Sequence, residues 1–304
     1  MPARHAALAT AVALVWGVNF VIIDVALGAF PPLLLVAVRF TLVAFPAVFF
    51  FGRPGIGWRW VVAIGATIAA GQFAFLFVAM DRGMPAGLAS LVLQLQVFFT
   101  VLLAMVTLGE RPQRLQLVAA GIGFAGIAVI ATGRGADVPL LACALSVGAA
   151  LSWAVGNVCT RKAQAPRPVE LLVWTSLVPP LPLLGLSLGF EGTGAIGDAW
   201  AALDLGSIAA LAYLVLASTA FGYGAWGYLI RHNPASQVVP FTLLVPPVGI
   251  AAAWIALGEV PNAAELAGGV IILAGLVLNA WAGMRGRRPL GATAPVAAAP
   301  SRAA

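Results

Sequence analysis

Charge is what this chain of 304 residues has least of, with Asp, Glu, Lys and Arg together making up 9% of it. Soluble domains carry about a quarter. So few charges cannot surround an apolar content of 62%, which excludes an ordinary soluble enzyme, and that apolar content equally excludes a disordered chain. Histidine is nearly missing too, with His5 and His232 both at the edges of apolar runs. No histidine pair for a metal and no Ser–His dyad can be assembled within a membrane from these two. Asp24 has no second intramembrane acid with which to form an aspartyl centre. No G-x-x-x-x-G-K-[ST] loop is present to bind ATP. An intramembrane enzyme is therefore the weakest functional class, and neither a metal nor another cofactor is called for. The only cysteines, Cys143 and Cys159, share one apolar run. On a helix they stand roughly 24 Å apart, beyond disulfide reach.

What the chain does have is long apolar runs. A hydrocarbon core of about 30 Å takes about 20 helical residues to cross. Ten runs qualify: 6–27, 33–51, 60–80, 86–108, 115–132, 140–160, 171–188, 207–230, 235–257 and 263–282. The expected fold class is an all-α polytopic membrane protein. The first run carries Trp16 and Asn19 and is followed by further spans, so it reads as a retained helix and not a cleaved signal. The net charge of +6 does not point to nucleic acid, because the basic residues lie between spans, where they set orientation. With a cytoplasmic N-terminus, 13 of the 16 Lys and Arg residues fall inside, Arg82 and Arg134 outside, and Arg39 within a span. Both termini are then cytoplasmic. Residues 285–304, made of Arg, Ala and Pro without periodicity, are expected to be a disordered tail.

An internal repeat gives the stronger signal. Shifting the sequence by 149 positions aligns 85–131 with 234–280 without a gap. Ala and Leu matches mean little in such a composition, but the turns Leu108-Gly109-Glu110-x-Pro112 and Leu257-Gly258-Glu259-x-Pro261 also coincide. The shift spans five helices, an odd number, so the halves 1–133 and 134–284 are expected to be inverted in the membrane. Inverted repeats are typical of secondary transporters, whose halves rock around a midplane site. The partners expected are then a small-molecule substrate and the lipid bilayer, with a second copy of the chain left open.

Polar groups inside hydrocarbon are costly, so they are the candidate site residues. Trp16 with Asn19, and Trp153 with Asn157, each share a helical face in the first span of their half. Their amides can bind a substrate amine or carboxylate, or can bind neighbouring helices instead. Gln94 and Gln96 are about 200° apart on a helix. Gln72 and Gln94 are therefore placed in the cavity and Gln96 in helix packing. Tyr223 and Trp226, among Gly222, Gly224 and Gly227, suit an aromatic wall. Arg39 and Asp24 are the ionisable residues deepest in spans, and are expected to pair with each other. Alternatively Arg39 clamps a substrate carboxylate and Asp24 carries a proton or coupling ion. Pro246 and Pro247 must break or kink the ninth span, as a hinge or site. Glu110 and Glu259 are expected to hold helix ends.

Several of these motifs resemble the EamA family of the drug/metabolite transporter superfamily. They are Trp16-Gly17-Val18-Asn19-Phe20, Pro31-Pro32 leading to Arg39-Phe40, and Met84-Pro85-Ala86-Gly87. The Leu-Gly-Glu-x-Pro turn, Gly222-Tyr223-Gly224-Ala225-Trp226-Gly227 and Leu244-Val245-Pro246-Pro247 continue the match. The resemblance implies ten helices in two inverted five-helix repeats in a bacterial inner membrane. It also implies export of small metabolites by alternating access, such as cysteine, O-acetylserine or related amino acids. Aromatic or lipophilic compounds are the alternative cargo. Two positions depart from the family's pattern: Asp24, where members often carry Lys, and Val97, where they often carry Pro.

Overall fold

The computed structural model describes residues 1–133 and 138–285, and the described residues form helices joined by short connections. The expectations for Arg134 and for residues 286–304 lie outside them. In chain order the helices are α1 (Ala3–Leu27), α2 (Pro32–Ala47), α3 (Trp58–Asp81), α4 (Ala86–Leu108) and α5 (Arg114–Gly133). The second half gives α6 (Leu140–Ala163), α7 (Pro168–Phe190), α8 (Leu205–His232), α9 (Val239–Leu257) and α10 (Ala263–Arg285), with a short helix of 10 residues at Gly192–Ala201 between α7 and α8. Among the described residues nine helices are long and apolar enough to cross a membrane. The tenth, α2, is shorter, but turns carry it on: Val48 donates to the Ala44 carbonyl at 2.9 Å and Phe51 to that of Ala47 at 3.1 Å.

Local chemistry fixes the helix ends. Pro32 and Pro168 stand in the first turns of α2 and α7, where a missing N–H breaks no bond. Asp204 accepts from the Ser207 N–H at 2.7 Å at the start of α8, and this holds its carboxyl below the ordinary aspartate range. The paired Leu-Gly-Glu-x-Pro turns end α4 and α9 in the same way. Gly109 and Gly258 adopt φ of 66° and 70°, and the following Glu N–H reaches six residues back to Ala104 or Ala253. Only glycine takes that left-handed C-cap without strain.

The two halves interlock. α1 packs against α8 and α9 of the other half, and α6 packs against α3 and α4. α2 pairs with α7, α4 with α9, and α5 with α10, so each of these helices meets its own repeat counterpart. The irregular segments repeat as well. α3 widens to a π-helix at Gly65–Gly71, and α8 does so at Tyr213–Phe221. α4 tightens to a 3₁₀ turn at Leu93–Leu95, and α9 does so at Val239–Leu244. Pro246 and Pro247 fall in the first turn of the α-helical part of α9, directly after its 3₁₀ segment. The expected break is therefore a change of helix type there. Such departures from α geometry cluster where a helix lines a functional site.

Candidate functional site

Between the halves lies a cavity of about 890 Å³. α1, α3, α4, α6, α8 and α9 all contribute to its wall. Trp16, Asn19, Gln72, Gln94, Trp153, Asn157, Tyr223 and Trp226 all line it. One end reaches Ala165, Pro166 and Pro168 in the α6–α7 connection and Arg231 near the end of α8. At the other end Phe20, Phe73 and Leu76 are buried and close it.

The first helix of each half meets the π segment of the other. A π turn shifts the hydrogen-bond register and frees carbonyls for outside donors. Trp16 Nε1 donates to the Ser218 carbonyl at 3.1 Å, and Ser152 Oγ donates to the Thr67 carbonyl at 2.8 Å. Tyr213 Oη donates to the Val15 carbonyl at 2.9 Å. Glycine allows the approach: a Cβ on Gly222 would meet the Trp16 indole, and one on Gly71 would meet Ser152 Oγ. Trp16 also packs against Tyr223 and Trp226, with ring centroids 5.3 and 5.4 Å away. The three rings form one aromatic wall.

The amides differ in their partners. Asn157 Nδ2 donates to Gln96 Oε1 at 2.9 Å and to Thr100 Oγ1 at 3.2 Å, tying α6 to α4. Gln96 thus lines the cavity and does not pack outside it. The 3₁₀ turn just before it supplies the reason, since about 120° per residue brings Gln94 and Gln96 closer in azimuth than an α-helix would. Gln94 Nε2 donates to the Thr242 carbonyl at 3.1 Å, in the 3₁₀ segment of α9. By contrast, Asn19 Oδ1 and Gln72 Oε1 are buried and accept no hydrogen bond from the protein.

Arg39 lies behind the wall and not in it. It is fully buried, and its guanidinium donates to Thr219 Oγ1 at 2.8 and 3.1 Å and to Ser218 Oγ at 3.2 Å. The Phe73 ring lies 4.4 Å from its Cζ, and Nη1 has no partner. The expected ion pair with Asp24 is absent. Among the described residues the salt bridges are Arg82 with Asp81 and Arg161 with Glu110. Hydroxyls on the π segment of α8 reach the guanidinium instead, and that local geometry left no trace in residue spacing. Ser218, Thr219 and Thr242 escaped the sequence reading for a related reason: serine and threonine are common in spans and gain meaning only from the irregular backbone beside them.

The two turn glutamates hold different partners. Glu259 accepts from the Ala86 and Gly87 N–H groups at 2.8 and 2.9 Å, capping α4. Glu110 is exposed and holds Arg161 at 2.8 Å. In the same manner as Glu259, Glu191 accepts from Leu33 and Leu34 at the start of α2. Carboxylates at helix N-termini satisfy orphan donors and favour the dipole.

Comparison with known proteins places this architecture. The EamA-like transporter family matches residues 4–132 and again residues 140–281. The chain belongs to the EamA-like transporter family. A probable amino-acid metabolite efflux pump of Salmonella typhimurium is 45% identical over 294 residues, covering 95% of this chain and 98% of that protein. A protein of the same description from Escherichia coli K12 is 40% identical over the same shares. A probable terminal-alkyne amino-acid exporter of Streptantibioticus cattleyicolor is 33% identical over 64% of this chain. A solved crystal structure superposes with a TM-score of 0.64 at 20% identity, over 95% of this chain and all of the other, which shows the shared fold.

Proposed function

We propose that the protein exports zwitterionic amino-acid metabolites across a bacterial inner membrane, with both termini cytoplasmic. The halves 1–133 and 134–284 would move the opening of one central cavity from one side to the other. A single observation carries this reading: the cavity of about 890 Å³ takes a Trp and an Asn from the first helix of each half. Its open end lies by Arg231 and the α6–α7 connection, next to Arg161 and Lys162. The positive-inside rule makes that end cytoplasmic, so this form is ready to load from the cell. The glutamates agree with it, since Glu259 clamps α4 at the closed end while Glu110 is exposed at the open one.

The relatives described as amino-acid metabolite efflux pumps support the cargo class. So does the wall, whose one charged residue among those described is Arg231 at the mouth. A polyanion would need clustered cations there. The wall offers amides, hydroxyls and rings that bind and release, which suits a carrier and not an enzyme. Asp24, on the outer part of α1 and without an ion pair among the described residues, is the candidate for proton coupling. Phe20, Ile64, Ile68 and Leu93 in the wall favour a second reading, export of lipophilic or aromatic compounds. Everted membrane vesicles containing the protein should accumulate labelled cysteine or O-acetylserine above empty vesicles. Accumulation of a lipophilic dye without either amino acid would turn the assignment to the second reading.

A further inference from the structure

Arg39 is a fully buried cation without a counter-charge. Its guanidinium meets hydroxyls and rings: Thr219 Oγ1 at 2.8 and 3.1 Å, Ser218 Oγ at 3.2 Å, and the Phe73 ring 4.4 Å away. Among the described residues no carboxylate lies within ion-pair reach of it, and none lines the cavity. A charge buried in protein is normally paired, because an uncompensated one is costly in a low dielectric. Two of the groups around Arg39, Ser218 and Phe73, also line the cavity, so one layer of side chains separates the guanidinium from that space. The two hydroxyls differ. Thr219 Oγ1 donates its own proton to the Leu214 carbonyl at 2.7 Å, whereas Ser218 Oγ accepts from Arg39 and donates to no protein acceptor among the described residues. A hydroxyl that accepts from a cation is polarised, which makes its proton the stronger donor. Gln72 directly precedes Phe73, and Asn19 lies one turn beyond Trp16, whose indole is bonded to the Ser218 carbonyl. The amide oxygens of Asn19 and Gln72 are turned into the protein. Their NH2 ends, without a protein acceptor among the described residues, are left for the cavity that both residues line. The closed end therefore offers uncommitted donors in the field of an unpaired cation.

We infer that Ser218, Asn19 and Gln72 form a carboxylate subsite at the closed end of the cavity, with Arg39 as the positioning residue that supplies its charge through Ser218. An ionised carboxylate brings two acceptor oxygens and no donor. The Ser218 hydroxyl and the two amide NH2 groups match that need. Arg39 does not touch the ligand. It attracts the anion across a low dielectric, where a charge acts over several ångströms, and it strengthens the Ser218 donor. With the cation one layer back, no direct ion pair has to break when the halves move and the ligand leaves. The arrangement also sorts the cargo: an ester or amide of the same acid keeps an acceptor but loses the charge that Arg39 reads. This inference rests on reading the cavity as the substrate site, but it fixes the ligand chemistry separately from which amino acid is exported.

The test uses the full-length protein in detergent, with tryptophan fluorescence reporting occupancy beside Trp16. The probes are butyrate, its neutral isostere butyramide, and butylammonium. Butyrate should bind about tenfold more tightly than either of the others, the margin that separates charge-assisted from neutral hydrogen bonds. Arg39→Gln should bring butyrate level with butyramide while butyramide binds as it does to the parent, a change of preference that a purely structural role would not produce. Arg39→Lys, which keeps the charge, should retain the preference. Ser218→Ala, which leaves the backbone carbonyl held by Trp16 in place, should cut it several-fold. Gln72→Glu supplies the missing counter-charge from the protein and should abolish butyrate binding. Butyrate binding no tighter than both other probes in the parent would overturn the subsite. So would a preference that survives Ser218→Ala and Gln72→Glu, even if Arg39→Gln fails to fold. If butyrate behaves as stated while vesicles accumulate no amino acids, the subsite stands and the export reading alone falls.

Discussion

The indole N–H of Trp16 ends on the backbone carbonyl of Ser218, 3.1 Å away in the π segment of the opposite half. Ser152 makes the mirror contact, donating to the carbonyl of Thr67 in the π segment of α3. Each half therefore uses its first helix to satisfy the irregular backbone of the other. The joint is held by few polar contacts and close glycine approach: Trp16 to Ser218 and Tyr213 to Val15 on the α8 side, and Ser152 to Thr67 on the α3 side.

Trp16→Phe tests this joint. It keeps an aromatic ring near Tyr223 and Trp226 but leaves the Ser218 carbonyl without its donor. A buried carbonyl left unpaired costs about 1–3 kcal/mol. Thermal unfolding of the purified protein should show a loss in that range. Ser152→Ala should cost a similar amount at the mirror position. An unchanged melting temperature in both would mean that water or another donor serves these carbonyls.

The separation of Asp24 from Arg39 predicts near-additive substitutions. Arg39 is held by Thr219, Ser218 and Phe73, so Arg39→Lys should lose about 1.5–3 kcal/mol with its forked donors. Asp24→Asn should stay within about 0.5 kcal/mol of the parent. The two combined should add to within about 0.5 kcal/mol. A coupling above that, measured in a double-mutant cycle of unfolding, would show that the two charges pair.

The glutamate turns should respond unequally although their sequences match. Glu259→Gln keeps only part of a charge-assisted double cap on Ala86 and Gly87, at a cost of about 1–3 kcal/mol. Glu110→Gln breaks an exposed pair with Arg161 and should cost less than about 1 kcal/mol. Equal losses would mean that the two ends of the protein are equally closed.

The span pattern and the repeat could be read from residues because hydrophobic length and the Leu-Gly-Glu-x-Pro turns are local signals. The Trp and Asn pairs on α1 and α6 could be read because helical spacing alone puts them on one face. What could not be read depends on where the backbone leaves α geometry. Nothing in Tyr213–Phe221 announces a π segment, so the hydroxyl partners of Arg39 stayed hidden and Asp24 looked like the natural counter-charge. A similar gap misplaced Gln96, since its azimuth depends on the 3₁₀ turn at Leu93–Leu95. Spacing also made Asn19 and Asn157 look equivalent, and their hydrogen bonds show that they are not.

That difference gives the last prediction. Asn157 is bound to Gln96 and Thr100, so Asn157→Leu removes a bridge between α6 and α4 and leaves Gln96 Oε1 without its donor. Unfolding should register a loss of about 1–3 kcal/mol. Gln96→Leu should cost less on top of Asn157→Leu than alone, because the two share one interaction. Asn19 Oδ1 holds no partner, so Asn19→Leu should keep or raise the melting temperature, since it replaces a buried orphan acceptor with an apolar group. The same Asn19→Leu protein should lose most of its amino-acid accumulation in everted vesicles. Stability lost at Asn157 and transport lost at Asn19 would separate interhelical bonding from substrate contact at two asparagines on the first helices of the two halves. If Asn19→Leu unfolded as readily as Asn157→Leu while transporting normally, both amides would be holding helices together, and Tyr223 and Gln94 would become the residues to substitute next.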